Sequence, residues 1–464
     1  MKKLYTITIA LLFLGAGCSD FGEDINVNPN LPNQASGTQL IAQAQLSLAG
    51  LSSSTQGEFL AQYLAETQYV GLSLYPQQST SFYGWYQGPL MDLEAVLTAE
   101  ELNGNDGPVA NQIAVAKILK AYYYWNITDR WGDVPYSGAL QGEGNFIPAY
   151  DTQQAIYQDL FLQLKAAVDM MESGSISNDI IYGGNMDKWR KLANSIRMLM
   201  ALRLSQVDPT TAETEFNLAM ADGVMESNAD NLVFQHLAEE DNQNYWYGQV
   251  VNQNREWWAL TEGLVAEMLP VDDPRLPVYG NPSRDTDQYV GLLFGEEDNI
   301  GTDAFSLLGD AIYAQDAAVQ LVTYAQILFA MAEAATAEKG WIPGDPATYY
   351  DMAIEQSIIQ WTGSSDGVNE FLLQPGIAFD PSRALEQIAT QRWVHLFMHG
   401  YEAWSEWRRT GYPDNMVLPK GVEVPTRLSY PDNEVFLNAA NYEAAVQRQF
   451  GGEDSVYGEI WWDQ

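Results

Sequence analysis

Aromatic and amide side chains are concentrated in residues 242–258, which read NQNYWYGQVVNQNREWW. Flat aromatic faces can pack against the apolar C–H side of a sugar ring, while amides and arginine hydrogen-bond its hydroxyl groups. The candidate residues of this stretch are Asn244, Tyr245, Trp246, Tyr247, Asn254, Arg255 and Trp257. Their composition predicts a surface that binds sugars through ring stacking and hydrogen bonds.

A second aromatic segment, residues 73–87 (SLYPQQSTSFYGWYQ), adds Tyr75 and Tyr83 to these candidates. We predict that four of the rings are exposed, namely Tyr75, Tyr83, Trp246 and Trp257. Trp85 and Trp258 are instead predicted to lie in the core, because each leads into a helical pattern. Surface stacking contributes only on the order of one to a few kcal/mol for each contact, which suits a protein that must release its ligand.

Catalytic and metal-binding patterns are weak. His395 and His399 have the spacing that lets two imidazoles on one helix share a metal, but no Glu follows the first His and only His236 remains as a third. The 61 acidic residues make any chosen carboxylate pair uninformative, and no G-x-S-x-G, P-loop or G-x-G-x-x-G motif is present. Four oxygen-bearing residues lack calcium-loop spacing: Asp298, Asn299, Asp303 and Asp310. The sequence predicts no enzyme, no metal and no cofactor.

The charge of the chain limits its partners. The formal net charge is -39, with 22 basic residues against 61 acidic ones. Nucleic acids and anionic lipids are bound through Lys and Arg that replace counterions, so a chain this acidic is not expected to bind either of them directly. The mean hydropathy of -0.22 also argues against an integral membrane protein.

The first 18 residues, MKKLYTITIALLFLGAGC, predict a lipoprotein signal peptide over 1–17. Two lysines precede a short apolar run, small residues follow it, and Cys18 is the only cysteine of the chain. We therefore predict lipidation at Cys18 and membrane attachment through that anchor. Gly15 stands where a larger apolar residue is usual, which leaves an ordinary secretory signal as the alternative. Residues 18–33 are polar and rich in Asn and Pro, which predicts a flexible tether.

Helical periodicity dominates the remaining chain. The predicted helices cover 34–50, 56–71, 88–102, 109–131, 152–172, 185–206, 211–224, 315–339, 346–361 and 382–409. They come in pairs joined by short turns, which indicates a mainly α protein of stacked helical hairpins resembling tetratricopeptide repeats. Two loop-rich insertions, at about 73–87 and 228–314, interrupt the pattern and are expected to carry the ligand site. Without a linker after residue 33, residues 34–464 are predicted to form one domain.

Motifs distributed along the mature chain resemble those of the SusD/RagB-like nutrient-binding outer-membrane lipoproteins of Bacteroidetes. The clearest are AYYYW at 121–125, TDRWGDVPY at 128–136, DPRLP at 273–277, WRRTGYP at 407–413 and WWD at 461–463. We assign these motifs to the scaffold, because residues shared by members with different ligands more often maintain the fold. Within them, Asp129 to Asp133 would end a long helix, and Arg408 and Arg409 would pair with buried carboxylates.

The resemblance implies a SusD-like helical scaffold with an inserted ligand face. It also implies a place at the cell surface of the outer membrane, and a SusC-like TonB-dependent transporter as the partner. The acidic residues Asp20, Glu23 and Asp24 resemble the surface-export signal of such lipoproteins. The main hypothesis is capture of oligosaccharides for polysaccharide utilisation. The alternative is the same role with peptide cargo. A surface glycoside hydrolase and a purely structural assembly subunit are the less favoured hypotheses.

Overall fold

The computed structural model describes residues 35–464. The predicted signal peptide over 1–17, the predicted lipidation site Cys18 and the predicted tether over 18–33 lie outside the described residues. We label the α-helices of five or more residues in chain order. They are α1 (Gly37–Leu46), α2 (Thr55–Leu60), α3 (Met91–Thr98), α4 (Val109–Trp131), α5 (Gln153–Met170), α6 (Met186–Arg203), α7 (Pro209–Asp222), α8 (Glu262–Met268), α9 (Tyr324–Ala335), α10 (Pro346–Thr362), α11 (Val368–Leu372), α12 (Ala384–His395), α13 (Gly400–Thr410) and α14 (Ala439–Phe450).

Consecutive helices pack as antiparallel hairpins, as the periodicity predicts. Helix α4 packs on α5, α6 on α7, and α9 on α10, while α5 also contacts α6. Their starts follow from capping chemistry: the Asn185 side chain accepts backbone N–H groups at the start of α6, and Asp208 does so before Pro209 in α7. Thr323 and Gln326 form a reciprocal capping box at α9. The mainly α, tetratricopeptide-like fold class is confirmed.

Within residues 35–464, three short two-stranded antiparallel ribbons connect helical parts of the structure. Strand β1 (Leu64–Glu66) pairs with β5 (Trp258–Leu260), β2 (Val134–Pro135) with β3 (Tyr150–Asp151), and β4 (Leu232–Phe234) with β6 (Val319–Val322), all antiparallel. One cluster of buried side chains runs from Ile41 near the start of the described chain to Trp462 near its end. None of the helices within residues 35–464 is long and apolar enough to cross a membrane.

Three predicted helices differ from the observed elements. Residues 56–71 do not form one helix, because α2 ends at Leu60 and the chain turns into β1. Residues 319–322 of the predicted helix 315–339 form β6, whose two valines suit an extended strand. The predicted helix 382–409 is split at Leu396–His399, where Met398 has a positive φ of 64°. Helices α8, α11 and α14 lie outside the predicted helices, and α8 falls in the predicted loop-rich insertion 228–314.

The motif around residues 128–136 is part of the scaffold, as predicted. Helix α4 ends at Trp131, which is buried. Asp129 Oδ1 accepts hydrogen bonds from the Tyr157 hydroxyl at 2.5 Å and from Trp462 Nε1 at 2.8 Å. Asp133 Oδ1 accepts one from the backbone N–H of Gln153 at 2.8 Å. These bonds tie the end of α4 to the start of α5 and to the last residues of the chain.

A cluster of buried arginines and glutamates joins four helices. Arg203 of α6 lies 2.7 Å from Glu406 of α13, and Arg409 of α13 lies 2.6 Å from Glu333 of α9. Arg392 of α12 lies 2.8 Å from Glu406 as well. The predicted pairing of the arginines at the end of α13 with buried carboxylates is therefore confirmed for Arg409. These long-range ion pairs hold helices that are far apart in sequence in one arrangement.

The two histidines considered as metal ligands do not share a helix. Helix α12 ends at His395, and His399 immediately precedes α13. His395 Nε2 lies 2.7 Å from Thr323 Oγ1, and its Nδ1 lies 2.9 Å from Ser357 Oγ. Burial lowers the pKa of both histidines to about 3, so each imidazole is neutral at physiological pH. His395 thus acts as a hydrogen-bonded core residue. Nowhere in residues 35–464 do three or more His, Cys, Asp or Glu side chains lie close enough together to hold a metal ion.

Candidate ligand-binding site

The β1–β5 ribbon brings two aromatic rings together at the surface. Beyond β1, Thr67 donates to the Trp257 carbonyl from both its backbone N–H, at 2.9 Å, and its hydroxyl, at 3.1 Å. Tyr69 follows two residues later and is 70% exposed. The Tyr69 and Trp257 ring centroids are 5.1 Å apart, with planes inclined by 55°. Trp257 is half-buried, so the two rings form an angled aromatic pair at the protein surface.

Arg255 lies beside this pair. Its guanidinium carbon is 5.7 Å from the centroid of the Trp257 ring, and its Nη1 donates to Gln249 Oε1 at 2.7 Å. In residues 35–464 no carboxylate lies within ion-pairing distance of Arg255, whereas nearby Arg284 pairs with Glu256 and Asp303. Part of its guanidinium therefore keeps the capacity to donate hydrogen bonds to a ligand.

Three other predicted residues of the segment 242–258 are at least partly exposed. Tyr245 is half-buried and packs edge-on against Trp246, with centroids 5.2 Å apart. Burial raises the pKa of Tyr245, while a hydrogen bond with Thr55 and the positive charge of Arg255 oppose that shift. Tyr247 is half-buried, and Asn254 is exposed with a positive φ of 53°. Of the 242–258 candidates, the contacts place Trp257 and Arg255 at the aromatic pair, while Tyr245, Tyr247 and Asn254 are partly or fully exposed elsewhere in the segment.

The predicted exposure of Trp246 and Tyr75 is wrong. Residues 245–247 form one helical turn that directs Trp246 inward, where it is 3% exposed and packs edge-on on Trp258. Asn244 is buried as well: its side chain caps this turn and donates to the Ala317 carbonyl at 3.1 Å. Tyr75 is 5% exposed, and its hydroxyl donates to the Phe59 carbonyl. These three side chains maintain the fold and are not available to a ligand.

Tyr83 lies in a different place from the aromatic pair. It lines a surface hollow of about 450 Å³ together with Phe82, Tyr86, Phe146 and Leu437. Its hydroxyl donates to Glu434 Oε1 at 2.5 Å. Tyr83 therefore does not extend the surface formed around Trp257. Of the two tryptophans predicted for the core, Trp258 is buried and Trp85 is half-buried against Tyr123.

The sequence did not indicate Tyr69 as a candidate. Tyr69 fell within the predicted helix 56–71, and a lone Tyr in a helical pattern is usually a packing residue. Its position depends on the early end of α2 and on the backbone N–H of Tyr69, which donates to Asn299 Oδ1 at 3.0 Å. That contact joins residues 230 positions apart, which no local pattern reveals.

Trp246→Ala is expected to destabilise the fold. Removing a buried indole leaves a cavity beside Trp258, and such changes cost about 3–5 kcal/mol of unfolding free energy. Urea denaturation followed by circular dichroism measures the loss. Tyr69→Ala is the control, since truncating a mostly exposed ring should change stability by no more than about 0.5 kcal/mol. Equal stabilities of the two variants would contradict the buried placement of Trp246.

The structure is thus a protein of stacked helical hairpins with an aromatic pair at its surface. Comparison with known proteins gives the family. A family model described as "Starch-binding associating with outer membrane" matches residues 29–431, and the chain belongs to this SusD-like family. Membership carries a general role in nutrient binding at the outer membrane. No curated protein matches the chain significantly.

Solved structures of similar proteins agree with this fold. A chitin-binding protein is 29% identical with a TM-score of 0.81, over 92% of this chain and 100% of its own. A SusD homologue from Bacteroides fragilis is 27% identical with a TM-score of 0.81, over 93% and 100% of the two chains. A Bacteroides vulgatus protein described as a candidate outer-membrane nutrient-binding protein is 26% identical with a TM-score of 0.82, over 93% and 100%.

Proposed function

We propose that the protein captures oligosaccharides at the cell surface through the Tyr69–Trp257 pair and Arg255. The observation that carries this proposal is the exposed pair itself, with centroids 5.1 Å apart and an arginine without a carboxylate partner beside it in the described chain. The rings suit the apolar faces of sugar residues, and the guanidinium suits their hydroxyl groups. The chitin-binding neighbour supports a glycan as the ligand.

The proposed complex is weak enough to release its cargo. Two aromatic contacts contribute about 0.5–1.5 kcal/mol each, and a few solvent-exposed hydrogen bonds add to them. After the entropic cost of association is subtracted, the net binding free energy is small. We expect dissociation constants in the range of about 1 μM to 1 mM. Complexes with such dissociation constants dissociate quickly, so a bound oligosaccharide can be released to a transporter.

Delivery is proposed to run through a SusC-like TonB-dependent transporter in the outer membrane, the partner implied by the family. Lipidation of Cys18 and a tether over residues 18–33 would attach the domain of residues 34–464 to the same membrane. Family membership supports this arrangement at the level of an outer-membrane nutrient-binding protein.

Peptide cargo is the second candidate. The hollow around Tyr83 favours it, because aliphatic Leu140 and Leu437 and the ring of Phe146 line its walls. Such a hollow suits an apolar side chain of an extended peptide better than a hydroxyl-rich sugar.

Calorimetric titration of the purified protein with neutral oligosaccharides and with short apolar peptides tests both candidates. We expect reversible binding of an oligosaccharide, with the ligand recovered intact by chromatography. Binding of peptides alone would replace glycan by peptide as the cargo. Shortened oligosaccharides would contradict a binding-only role and indicate a glycoside hydrolase.

A further inference from the structure

The hollow around Tyr83 is large enough to take a whole side chain of a ligand. Its volume of about 450 Å³ falls within the roughly 300–1,000 Å³ that is usual for ligand pockets. Phe82, Tyr83 and Tyr86 line it together with Leu140 and Leu437. Walls of this kind hold the methylene stem of a long side chain as well as a purely apolar one.

Among the described residues that line this hollow, only Glu434 is charged. Glu434 is 5% exposed, and its Oε1 accepts a hydrogen bond from the Tyr83 hydroxyl at 2.5 Å, while its Oε2 accepts one from the Tyr150 hydroxyl at 2.6 Å. Tyr83 is half-buried and lines the hollow, whereas Tyr150 is buried and does not, so the Oε1 side of the carboxylate is the side turned toward the hollow.

The two tyrosines do not neutralise this carboxylate. Burial, and next the hydrogen bond to Glu434, raise the pKa of both Tyr83 and Tyr150, so both phenols stay protonated and neutral. A carboxylate offers about four lone-pair positions, and Tyr83, Tyr150 and the Asn438 amide at 3.3 Å occupy three of them in the described chain. The Glu434 carboxylate therefore keeps its charge and the capacity to accept one more hydrogen bond.

The described chain supplies no cation for Glu434. No Lys, Arg or His of residues 35–464 lies within ion-pairing distance of its carboxylate, and Arg448, the nearest basic residue in sequence, pairs with Asp133. The three segments that border the hollow, 82–92, 135–151 and 430–447, contain acidic residues and no basic one. The local field therefore favours a cationic ligand group and disfavours an anionic one.

The rim of the hollow suits a polypeptide. Phe146 and Leu437 are mostly exposed, and large exposed apolar side chains that lie together usually mark a contact surface. The amides of Gln87 and Asn433 are exposed at the same hollow and can bond the backbone groups of a peptide. A second copy of this chain is disfavoured here, because its own acidic segments would face these.

We propose that the hollow around Tyr83 binds the side chain of an arginine or lysine in an extended peptide, with the cationic group beside Glu434. The methylene stem packs on Leu437 and on the aromatic walls, whose faces also attract a cation. Arginine fits better than lysine, because its planar guanidinium bonds a carboxylate and stacks on an aromatic ring at the same time. The inference rests on the peptide candidate of the proposed function and names the side chain that such a cargo presents.

Calorimetric titration with three blocked pentapeptides tests the inference. Each has the sequence acetyl-Gly-Leu-X-Leu-Gly-amide, in which X is arginine, lysine or citrulline, the neutral isostere of arginine. We expect the arginine peptide to bind at least about tenfold more tightly than the citrulline peptide. The lysine peptide should lie between them, and the advantage of arginine should shrink in about 1 M NaCl.

The outcomes separate this inference from the proposed function. Equal affinities for the arginine and citrulline peptides would overturn the inference and leave peptide cargo standing. Failure of every peptide to bind would overturn both, while oligosaccharide capture at the Tyr69–Trp257 pair would be unaffected. A glucosamine hexamer that displaces the arginine peptide would assign the hollow to an amino sugar and also overturn the inference.

Glu434→Gln tests the charge, because it keeps the shape of the side chain and removes its negative charge. The affinity ratio between the arginine and citrulline peptides should fall to about one. Glu443→Gln, at an exposed position of α14, is the matched control and should leave the ratio unchanged. An undiminished ratio in the Glu434 variant would overturn the role of this carboxylate.

Leu437→Lys tests the same site without removing the hydrogen bonds of Glu434. Leu437 is mostly exposed, so the variant should fold, and its ammonium would compete with the ligand for Glu434. The arginine peptide should lose at least about fivefold in affinity and the citrulline peptide much less. Leu373→Lys, at another mostly exposed leucine, is the control.

Equal losses for the two peptides in the Leu437 variant would contradict a cation site. Sedimentation of the wild-type protein checks the competing occupant. A dimer that Leu437→Lys dissociates would assign this surface to a second copy of the chain and overturn the inference.

Discussion

Trp257→Ala should weaken oligosaccharide binding about tenfold or more while the protein stays folded. The indole provides one side of the angled aromatic pair, so its removal deletes a stacking face for the sugar. The Arg255 guanidinium lies beside the same indole and would lose the contact that positions it as a hydrogen-bond donor. Its half-buried position limits the cost to the fold. Calorimetric titration with the tightest-binding oligosaccharide measures the loss, and circular dichroism monitors the helices.

Tyr69→Ala should reproduce this effect, because Tyr69 forms the other side of the pair and makes few contacts with the core. Trp341→Ala is the matched control: it removes a half-buried tryptophan at a different place, against Phe216. Unchanged affinity in both the Trp257 and Tyr69 variants would place the binding surface elsewhere, with the hollow around Tyr83 as the next region to test.

Glu406→Gln should lower the free energy of unfolding by about 3–5 kcal/mol at neutral pH. The Glu406 carboxylate lies within 2.8 Å of Arg203, Arg392 and Arg409, all buried. A neutral amide would leave those guanidinium groups with too little negative charge around them. Urea denaturation measures the change, and Glu213→Gln, at an exposed position of α7, is the control with an expected change under about 0.5 kcal/mol.

Glu406→Gln should also make the free energy of unfolding depend less on pH in the acid range. Burial alone would raise the pKa of Glu406, but the charges of Arg392, Arg409 and Arg203 outweigh it and hold the pKa well below its usual range. A carboxylate with a depressed folded-state pKa stabilises the protein above its unfolded-state pKa and loses that contribution as the pH falls. The difference between wild type and variant should therefore shrink below about pH 4.5. A constant difference down to about pH 3 would contradict the assigned ion pairs.

Helices could be predicted wherever local chemistry and long-range packing agree. The starts of α6, α7 and α9 are fixed by side-chain caps that the sequence displays, and their apolar stripes face the core. The observed structure differs from the predicted helices where a segment pairs with residues that are distant in sequence. Strands β1 and β6 exist because they pair with β5 and β4, and a three- or four-residue strand has too little periodicity to be distinguished from a helical segment.

The candidate site was harder to predict than the fold. Composition identified the segment 242–258. Within the helical turn 245–247, however, which ring is buried depends on how the turn is oriented relative to the core, and the sequence does not reveal that orientation. Trp257 and Trp258 differ by one position in a strand-like segment, where successive side chains point to opposite faces. One therefore faces the surface and the other the interior. Tyr69 joins the site only through contacts with residues far along the chain.

Most arginine side chains that tie the helices together are withdrawn from solvent, including Arg197, Arg203, Arg275, Arg392, Arg409 and Arg427. The solvent-facing layer is consequently left with even fewer cations than the overall composition suggests. Two copies of the domain that approach each other would repel over about 30 Å in dilute media, where the Debye length is long, and over only about 3 Å near 1 M salt. The ionic strength of the surroundings thus sets how densely these molecules can be arrayed.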